Sequence, residues 1–300
     1  MKLPRHALLL TAGLGTRLHP LTQVRTKAAV PVAGVPLARR IASSLVAAGI
    51  TELVVNLHHL PDTLTGILGD GSDLGARIRY SWEQPVVLGS AGGPRQALPL
   101  LGVDRFLIVN GDVLTDVNLE ALADAHDRSG ALVTLALVPN REPLRYGGVT
   151  LDASGGVTGF VARGPSASGS FHFVGPQIVQ AEVFQSIPAG SVMKTIGGVY
   201  DKLIAERSGS VRGFVSSASY WDIGTIADYW ATCWALADPQ SGASGRSILW
   251  NDVQVGAGAV LDECIVTDHV RVPSGARYRR MVLVKTQTGA LDAMPFSPAS

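Results

Sequence analysis

Cysteine is scarce: the 300 residues carry two, Cys233 and Cys264. Two thiols make neither a disulfide framework nor a cysteine metal cluster, and they suit a reducing compartment. Long hydrophobic runs are absent, since no stretch approaches the ~20 apolar residues that a membrane helix needs. The short run Ala7–Leu10 follows Lys2 and Arg5 as a signal peptide would begin, but Gly13–Arg17 breaks it and no small-residue cleavage site follows. An excess of one charge is also missing. Lysine plus arginine is 25 against 24 aspartate plus glutamate, a net charge of +1. That balance removes the usual argument for nonspecific binding to nucleic acid or an anionic membrane. A small anionic ligand held by a few placed cations remains open. The expectation is a cytoplasmic protein without nucleic-acid or membrane partners.

What is present is enough apolar sequence for a sizeable core, with 46% hydrophobic and 16% charged residues, and 34 glycines. The length suggests about two domains at ~150 residues each. The first half alternates short apolar runs with helix-like segments. Ala7–Leu10, Glu52–Asn56, Arg77–Ser81, Phe106–Asn110 and Ala131–Val138 read as strands. Leu37–Ala48, Asp62–Leu68, Ala91–Leu101 and Leu119–Ser129 read as helices. This alternation implies a parallel or mixed sheet covered on both faces. Ligands of such sheets bind beyond the carboxyl ends of the strands, which points to the loops after Leu10 and after Asn110. Residues 146–175 read as an inserted antiparallel segment, and Ile196–Glu206 and Tyr229–Leu236 as further helices.

After a small-residue linker at Asp238–Arg246 the character changes. Ile248-Leu249, Ile265-Val266 and Val282-Leu283 recur every 17 residues, as do Val253/Val255 with Val270/Val272 and Gly258-Ala259 with Gly275-Ala276. A shared period marks a repeat. Its internal six-residue step resembles the hexapeptide repeat of left-handed parallel β-helices. Two to three coils make a stub that must pack on something; a plain β-hairpin extension is the simpler alternative.

The segment Leu8–Pro31 (LLLTAGLGTRLHPLTQVRTKAAVP) offers Gly13, Gly15, Thr16 and Arg17, then Lys27 ten residues later. Glycines let backbone N–H groups approach phosphate oxygens, and arginine and lysine are the two side chains that hold phosphate. A dinucleotide fingerprint would need glycine at Leu18, and no Walker A loop is present. By itself this is a strand–turn–helix junction with two cations. His58-His59 point to opposite faces of a strand and do not chelate one metal well. Trp221, Trp230 and Trp234 read as packing residues rather than base-stacking ones.

The run G-x-G-T-R-L-x-P-L-T with its downstream lysine resembles the signature of the sugar-1-phosphate nucleotidyltransferases. Gly69–Glu83, Gly89–Gly92 (GSAG), Val109–Asp112 (VNGD), Tyr146-Gly147-Gly148 and Trp221–Tyr229 (WDIGTIADY) resemble further blocks of that family, in its order. With the repeat, the resemblance covers roughly residues 7 to 284. It extends to mannose-1-phosphate guanylyltransferases and N-acetylmuramate-1-phosphate uridylyltransferases. The implied fold is α/β, a doubly wound Rossmann-like mixed sheet over residues 1–237. A linker at 238–246, a left-handed β-helix stub at 247–284 and a tail at 285–300 would follow.

The implied reaction joins a nucleoside triphosphate to a sugar 1-phosphate and releases pyrophosphate. The resemblance makes Arg17, Lys27, Asp112 and Asp222 catalytic, with Asp112 and Asp222 as ligands of Mg²⁺. It gives nucleotide contacts to Thr11, Ala12, Gly13, Gly15, Thr16, Gly89, Ser90 and Asn110, and sugar-phosphate contacts to Gly147 and Arg163. It favours GTP and mannose 1-phosphate. UTP or another triphosphate with N-acetylmuramate 1-phosphate or glucose 1-phosphate is the alternative, and a catalytically inactive nucleotide-sensing or assembly homologue is another. An acyltransferase, the other common owner of hexapeptide coils, would need a longer stack with a catalytic histidine. A homo-oligomer through the stub is expected.

The departures fall on the sugar side. Phe160–Pro165 (FVARGP) stands where the family has F-x-E-K-P, and Phe171–Gly175 (FHFVG) where it has an N-A-G-like strand. Lys27-Ala28 replaces the frequent Lys-Pro.

Overall fold

A computed structural model of the chain describes residues 3–237, 246–286 and 288–297. The described residues fall into two compact units that do not follow chain order. One takes Met1–Gly13, Ile41–His59 and Leu68–Tyr220, the other Leu14–Arg40, Leu60–Ile67 and Trp221–Ser300. Among the described residues, the helices of seven residues or more are α1 (Leu37–Ala47), α2 (Pro61–Leu68), α3 (Gly89–Leu101), α4 (Leu119–Ser129), α5 (Tyr200–Glu206) and α6 (Ile226–Ala235).

The first unit is built on a nine-stranded mixed sheet. Its strands are β1 (His6–Leu10), β2 (Glu52–Leu57), β3 (Arg77–Trp82), β4 (Arg105–Asn110), β5 (Val133–Pro139), β6 (Gly148–Leu151), β7 (Val157–Val161), β8 (Phe171–Gln180) and β9 (Val211–Val215). β1 pairs in parallel with β2 on one side and β4 on the other, and β2 with β3. The strand order therefore reverses between β1 and β4, where Leu10 stands opposite Asn110. That is the switch point at which α/β sheets open a ligand crevice. β8 runs antiparallel to β4 and β5, and the hairpin β6–β7 branches from it through Phe171. The central strands are continuous apolar runs because both faces are covered. Leu8, Val54, Phe106, Ile108, Val133, Leu135 and Leu137 form one core with Ala91, Ala97 and Leu101 of α3.

In the second unit three short ladders stack in parallel with an offset of 17 residues: Ile248 on Ile265 on Val282, Gln254 on Arg271, and Val260 on Arg277. The corners repeat at the same interval. Asp252 and His269, Gly258 and Gly275, and Glu263 and Arg280 all take positive φ. Cys264, Val266, Val270, Val272 and Leu283 fill the interior.

Three segments differ from the sequence expectation. The helix expected over Ile196–Glu206 is regular only from Tyr200, because Ile196 is extended and Gly197 sits at φ 76. Val211–Val215 adds an unanticipated edge strand parallel to β5. Leu291–Pro295, read as tail, returns antiparallel to Met281–Lys285. Most of the expected linker, residues 238–245, lies outside the described residues. Among the described residues no helix is long and apolar enough to cross a membrane. Both cysteines are buried and unpaired, and burial pushes the Cys233 thiol up to about 11, which leaves it unreactive.

Candidate active site

In the first unit the site begins where β1 ends. Asn56 of β2 turns its Oδ1 toward the chain after Leu10 and accepts from Thr11 N–H and from Ala12 N–H, the latter at 3.2 Å. The Thr11 hydroxyl donates to the Asn56 carbonyl. The Asn56 amide in turn donates to Glu83 Oε1 at 2.7 Å, and Glu83 Oε2 accepts Leu88 N–H at 2.6 Å. Glu83 is 1% exposed and Asn56 3%. One buried carboxylate therefore fixes both the Thr11–Ala12 turn, through Asn56, and the backbone entering α3 at Gly89. His58 also serves this network, its Nδ1 lying 2.7 Å from the Glu83 carbonyl.

Thus the amides of Thr11 and Ala12 are engaged by Asn56, while the exposed Gly13 faces open space. Gly89 has φ +78, and a Cβ there would lie 2.7 Å from the Met193 carbonyl. The Ser90 hydroxyl lies 2.9 Å from that of Thr195 and accepts Thr195 N–H at 2.9 Å. Gly111 donates to the Leu10 carbonyl at 2.9 Å, and a Cβ on it would meet Thr11 Cγ2 at 2.5 Å. Only glycine lets the VNGD turn approach β1 this closely. That approach brings the half-buried Asp112 to the Thr11 turn. Asn110 packs against Gly175.

Gly147 and Arg163 are also brought together: a Cβ on Gly147 would stand 3.0 Å from the Val161 carbonyl and 3.8 Å from Arg163 N. Beside them Tyr146, His172 and Tyr220 form a ring cluster, with centroids 4.1 Å apart for Tyr146–His172 and 4.9 Å for His172–Tyr220. Arg145 lies over Tyr146 at 4.8 Å. Burial, and next the Arg145 charge, pull the His172 imidazole down to about 4, so it is neutral at pH 7.

The second unit carries Arg17 and Lys27. Gly15, at φ 62, opens a short turn over Thr16–Leu18 that leaves Arg17 exposed and buries Leu18. The Thr22 hydroxyl donates to the Gly15 carbonyl at 2.9 Å. A Cβ at Gly15 would be 2.8 Å from Thr22 Cγ2 and 3.2 Å from Lys27 Cβ, so the glycine seats the turn against the half-buried Lys27. Arg17 and Asp222 meet around Gly224. The point a Cβ there would occupy lies 3.5 Å from Arg17 Nη1, 3.4 Å from Asp222 Oδ2 and 3.3 Å from Asp228 Oδ2. Thr225 caps α6 by accepting Asp228 N–H at 3.2 Å.

Asn56, Glu83, Gly224 and Asp228 escaped the sequence reading as site residues. Glu83, Gly224 and Asp228 lie inside the quoted motif blocks, and Asp228 is three positions after a threonine cap, so it reads as helix chemistry first. Among the described residues no group of three or more His, Cys, Asp or Glu side chains forms a metal cage. Mg²⁺ does not require such a cage, because it takes few protein carboxylates and completes its octahedron with phosphates and water. The carboxylates of Asp112 in the first unit and of Asp222 in the second are each donors of the kind it takes.

Residues 6–238 match the family model described as nucleotidyl transferase. The chain is 29% identical over 299 residues to mannose-1-phosphate guanylyltransferase of Mycobacterium tuberculosis, covering 91% of this chain and 83% of that protein. It is 36% identical over 222 residues to N-acetylmuramate alpha-1-phosphate uridylyltransferase of Neisseria meningitidis serogroup B, covering 73% and 93%. Among solved structures, HddC from Yersinia pseudotuberculosis superposes with a TM-score of 0.67 at 21% identity over 78% of this chain and 99% of that one, a likeness of fold.

Proposed function

The chain belongs to the nucleotidyl transferase family, and on that premise we propose that it joins GTP to mannose 1-phosphate, giving GDP-mannose and pyrophosphate. The observation that carries this reading is the similarity to the Mycobacterium tuberculosis guanylyltransferase over 91% of the chain, beyond the family match and into the C-terminal coils. The uridylyltransferase reading keeps one specific support, the 36% identity to the Neisseria meningitidis protein.

In the proposed reaction a phosphate oxygen of the sugar 1-phosphate attacks the α-phosphorus. The bond from that phosphorus to the bridging oxygen breaks, and the electron pair leaves with pyrophosphate. The protein has little covalent work and must hold two anions in line and neutralise charge. Arg17, already facing the Asp222 and Asp228 carboxylates, takes the triphosphate with its planar fork, and Lys27 reaches phosphate as a point charge. Asp112 and Asp222 would hold Mg²⁺, which when bound supplies charge neutralisation at the phosphates. The Thr11–Gly15 turn, Thr16, Gly89, Ser90 and Asn110 line the nucleotide. Gly147 and Arg163 take the sugar phosphate, with Arg163 in place of the family's lysine. We read the C-terminal coils as a left-handed parallel β-helix, on the 17-residue register and the repeating corners. Its open first coil, with exposed Leu249, Val255 and Val260, suits self-association.

Asp112→Asn and Asp222→Asn each keep side-chain volume and remove one charge. Each is expected to cut pyrophosphate release about a hundredfold or more at unchanged Tm. Near-normal turnover in either variant would sink the two-carboxylate assignment.

A further inference from the structure

The loop that carries Arg17 and Lys27 has little regular structure of its own. Between Leu14 and Val30 it holds two three-residue turns and one four-residue helix, Leu21–Val24. Its internal ties include the Thr22 hydroxyl on the Gly15 carbonyl and Ala29 N–H on the Thr26 carbonyl, and Thr26 N–H donates to the Thr63 hydroxyl at 3.1 Å. Its charged tie comes from a residue more than two hundred positions later in the chain.

Arg25, two residues before Lys27, forks onto Asp268 with Nε to Oδ2 at 2.6 Å and Nη2 to Oδ1 at 2.7 Å. The two side chains are 11% and 10% exposed. Asp268 is itself seated by the coils, accepting Asn251 N–H at 3.1 Å. The guanidinium lies 5.5 Å from the Trp250 ring centroid, and its Nη1 donates at 3.4 Å to the carbonyl of Ala29, the residue that ends Lys27's turn. A second tie follows immediately: the Pro31 carbonyl accepts the Tyr229 hydroxyl at 2.7 Å, and Tyr229 accepts the Trp250 indole N–H at 2.8 Å. Both Tyr229 and Trp250 are buried. Lys27 is thus bracketed, with Arg25 before it and Ala29 and Pro31 after it, by groups that lead back to Trp250 and Asp268 in the C-terminal coils.

We propose that the C-terminal coils are an intramolecular brace for the cation loop, with Asp268 and Trp250 as positioning residues that fix Lys27 for phosphate binding. This rests on the phosphate-binding reading of Lys27 given above. A bidentate arginine–carboxylate pair sets angle as well as distance, and removing one partner of a buried pair leaves the other charge uncompensated. Freed from Asp268, Arg25 swings toward solvent and takes the Lys27 turn with it. The coils then act on catalysis without touching substrate.

The test uses the full chain. Asp268→Asn keeps the shape and removes the charge. Trp250→Phe keeps an aromatic ring beside Arg25 while losing the indole N–H and some buried volume, so the test does not hang on one variant folding. Asp262→Asn, in the exposed Arg279–Asp262 pair of the same coils at 3.0 Å, is the control. Each is assayed for Tm and for kcat and KM toward the triphosphate, alone and with Lys27→Ala. Asp268→Asn is expected to lower kcat/KM for the triphosphate about tenfold, Trp250→Phe less, and Asp262→Asn not at all. In the Lys27→Ala background Asp268→Asn should add less than about twofold, because the group it positions is gone. A lowered Tm with normal kcat/KM, or fully additive losses, would overturn the proposal and leave the pair a stabilising contact. Full turnover by Lys27→Ala alone would overturn the phosphate reading of the loop, and this proposal with it.

Discussion

Changing one atom at Glu83 tests how the nucleotide side is held. Its Oε1 accepts from the Asn56 amide and its Oε2 from Leu88 N–H, and both residues are buried. Glu83→Gln preserves volume but exchanges one acceptor for an NH₂ donor. That NH₂ must then face either Leu88 N–H or the Asn56 amide. Flipping Asn56 moves the clash without removing it, since its NH₂ would meet the Thr11 and Ala12 amides. One buried donor stays unmet in every arrangement, at about 1–3 kcal/mol. At roughly 2–4 °C per kcal/mol in a chain of this size, Tm should fall by about 2–12 °C. The Thr11 turn and the approach to Gly89 loosen together, so KM for the triphosphate should rise about tenfold, equivalent to about 1.4 kcal/mol, while KM for the sugar phosphate holds. Adding Asn56→Asp restores the match. Asp at 56 accepts from Thr11, Ala12 and the new glutamine, whose oxygen then serves Leu88. The double variant should recover most of the Tm and of the KM. Unchanged Tm and KM in Glu83→Gln, or no recovery in the pair, would refute the network as the support of the nucleotide turn.

Gly111→Ala places a methyl 2.5 Å from Thr11 Cγ2 and 2.8 Å from the Leu10 carbonyl, which forces the Asp112 turn away from β1. Overpacking should cost about 1–3 kcal/mol in denaturant unfolding. Turnover should fall by up to about a hundredfold, since small misplacements of catalytic groups are expensive. Stability should also fall as pH drops from 6.5 to 4. Burial, and next the Arg105 charge, hold His126 down to about 4, and its ring lies 2.8 Å from the Thr134 hydroxyl and 3.1 Å from the Gln180 amide. Above 6.5 the ring is neutral folded or unfolded. Between 6.5 and 4 only the unfolded chain takes the proton, a loss of at most about 3 kcal/mol that stops growing below 4. His126→Gln should flatten part of that slope in melts across the range, with His172, also held to about 4, supplying more of it. An unaltered slope would contradict the neutral buried His126.

Much of the fold was legible because burial writes itself into the sequence. Phe106–Val109 is a continuous apolar run because both sheet faces are covered. α4 was bounded correctly because Asn118 caps it and Gly130 ends it at φ 61. The strand Val211–Val215 was not legible, since its V-R-G-F-V pattern is that of a half-buried edge. Ile196 counted toward a helix whose start Gly197 prevents. Of the proposed site residues, Arg17, Lys27, Asp112 and Asp222 stood out through motifs. Glu83 and Arg25 did not, because a charged residue takes its meaning from its partner. Those partners, Asn56 at 27 residues and Asp268 at 243 residues, are set by the fold alone.

The central claim is the transfer of a nucleotide from a triphosphate to a sugar 1-phosphate. Its most direct test is pyrophosphate release across ATP, GTP, CTP and UTP, each paired with mannose, glucose and N-acetylmuramate 1-phosphates. The account predicts sustained release with GTP and mannose 1-phosphate, lost in Asp112→Asn. Tight triphosphate binding with no pyrophosphate from any pair would contradict it and make the chain a nucleotide sensor.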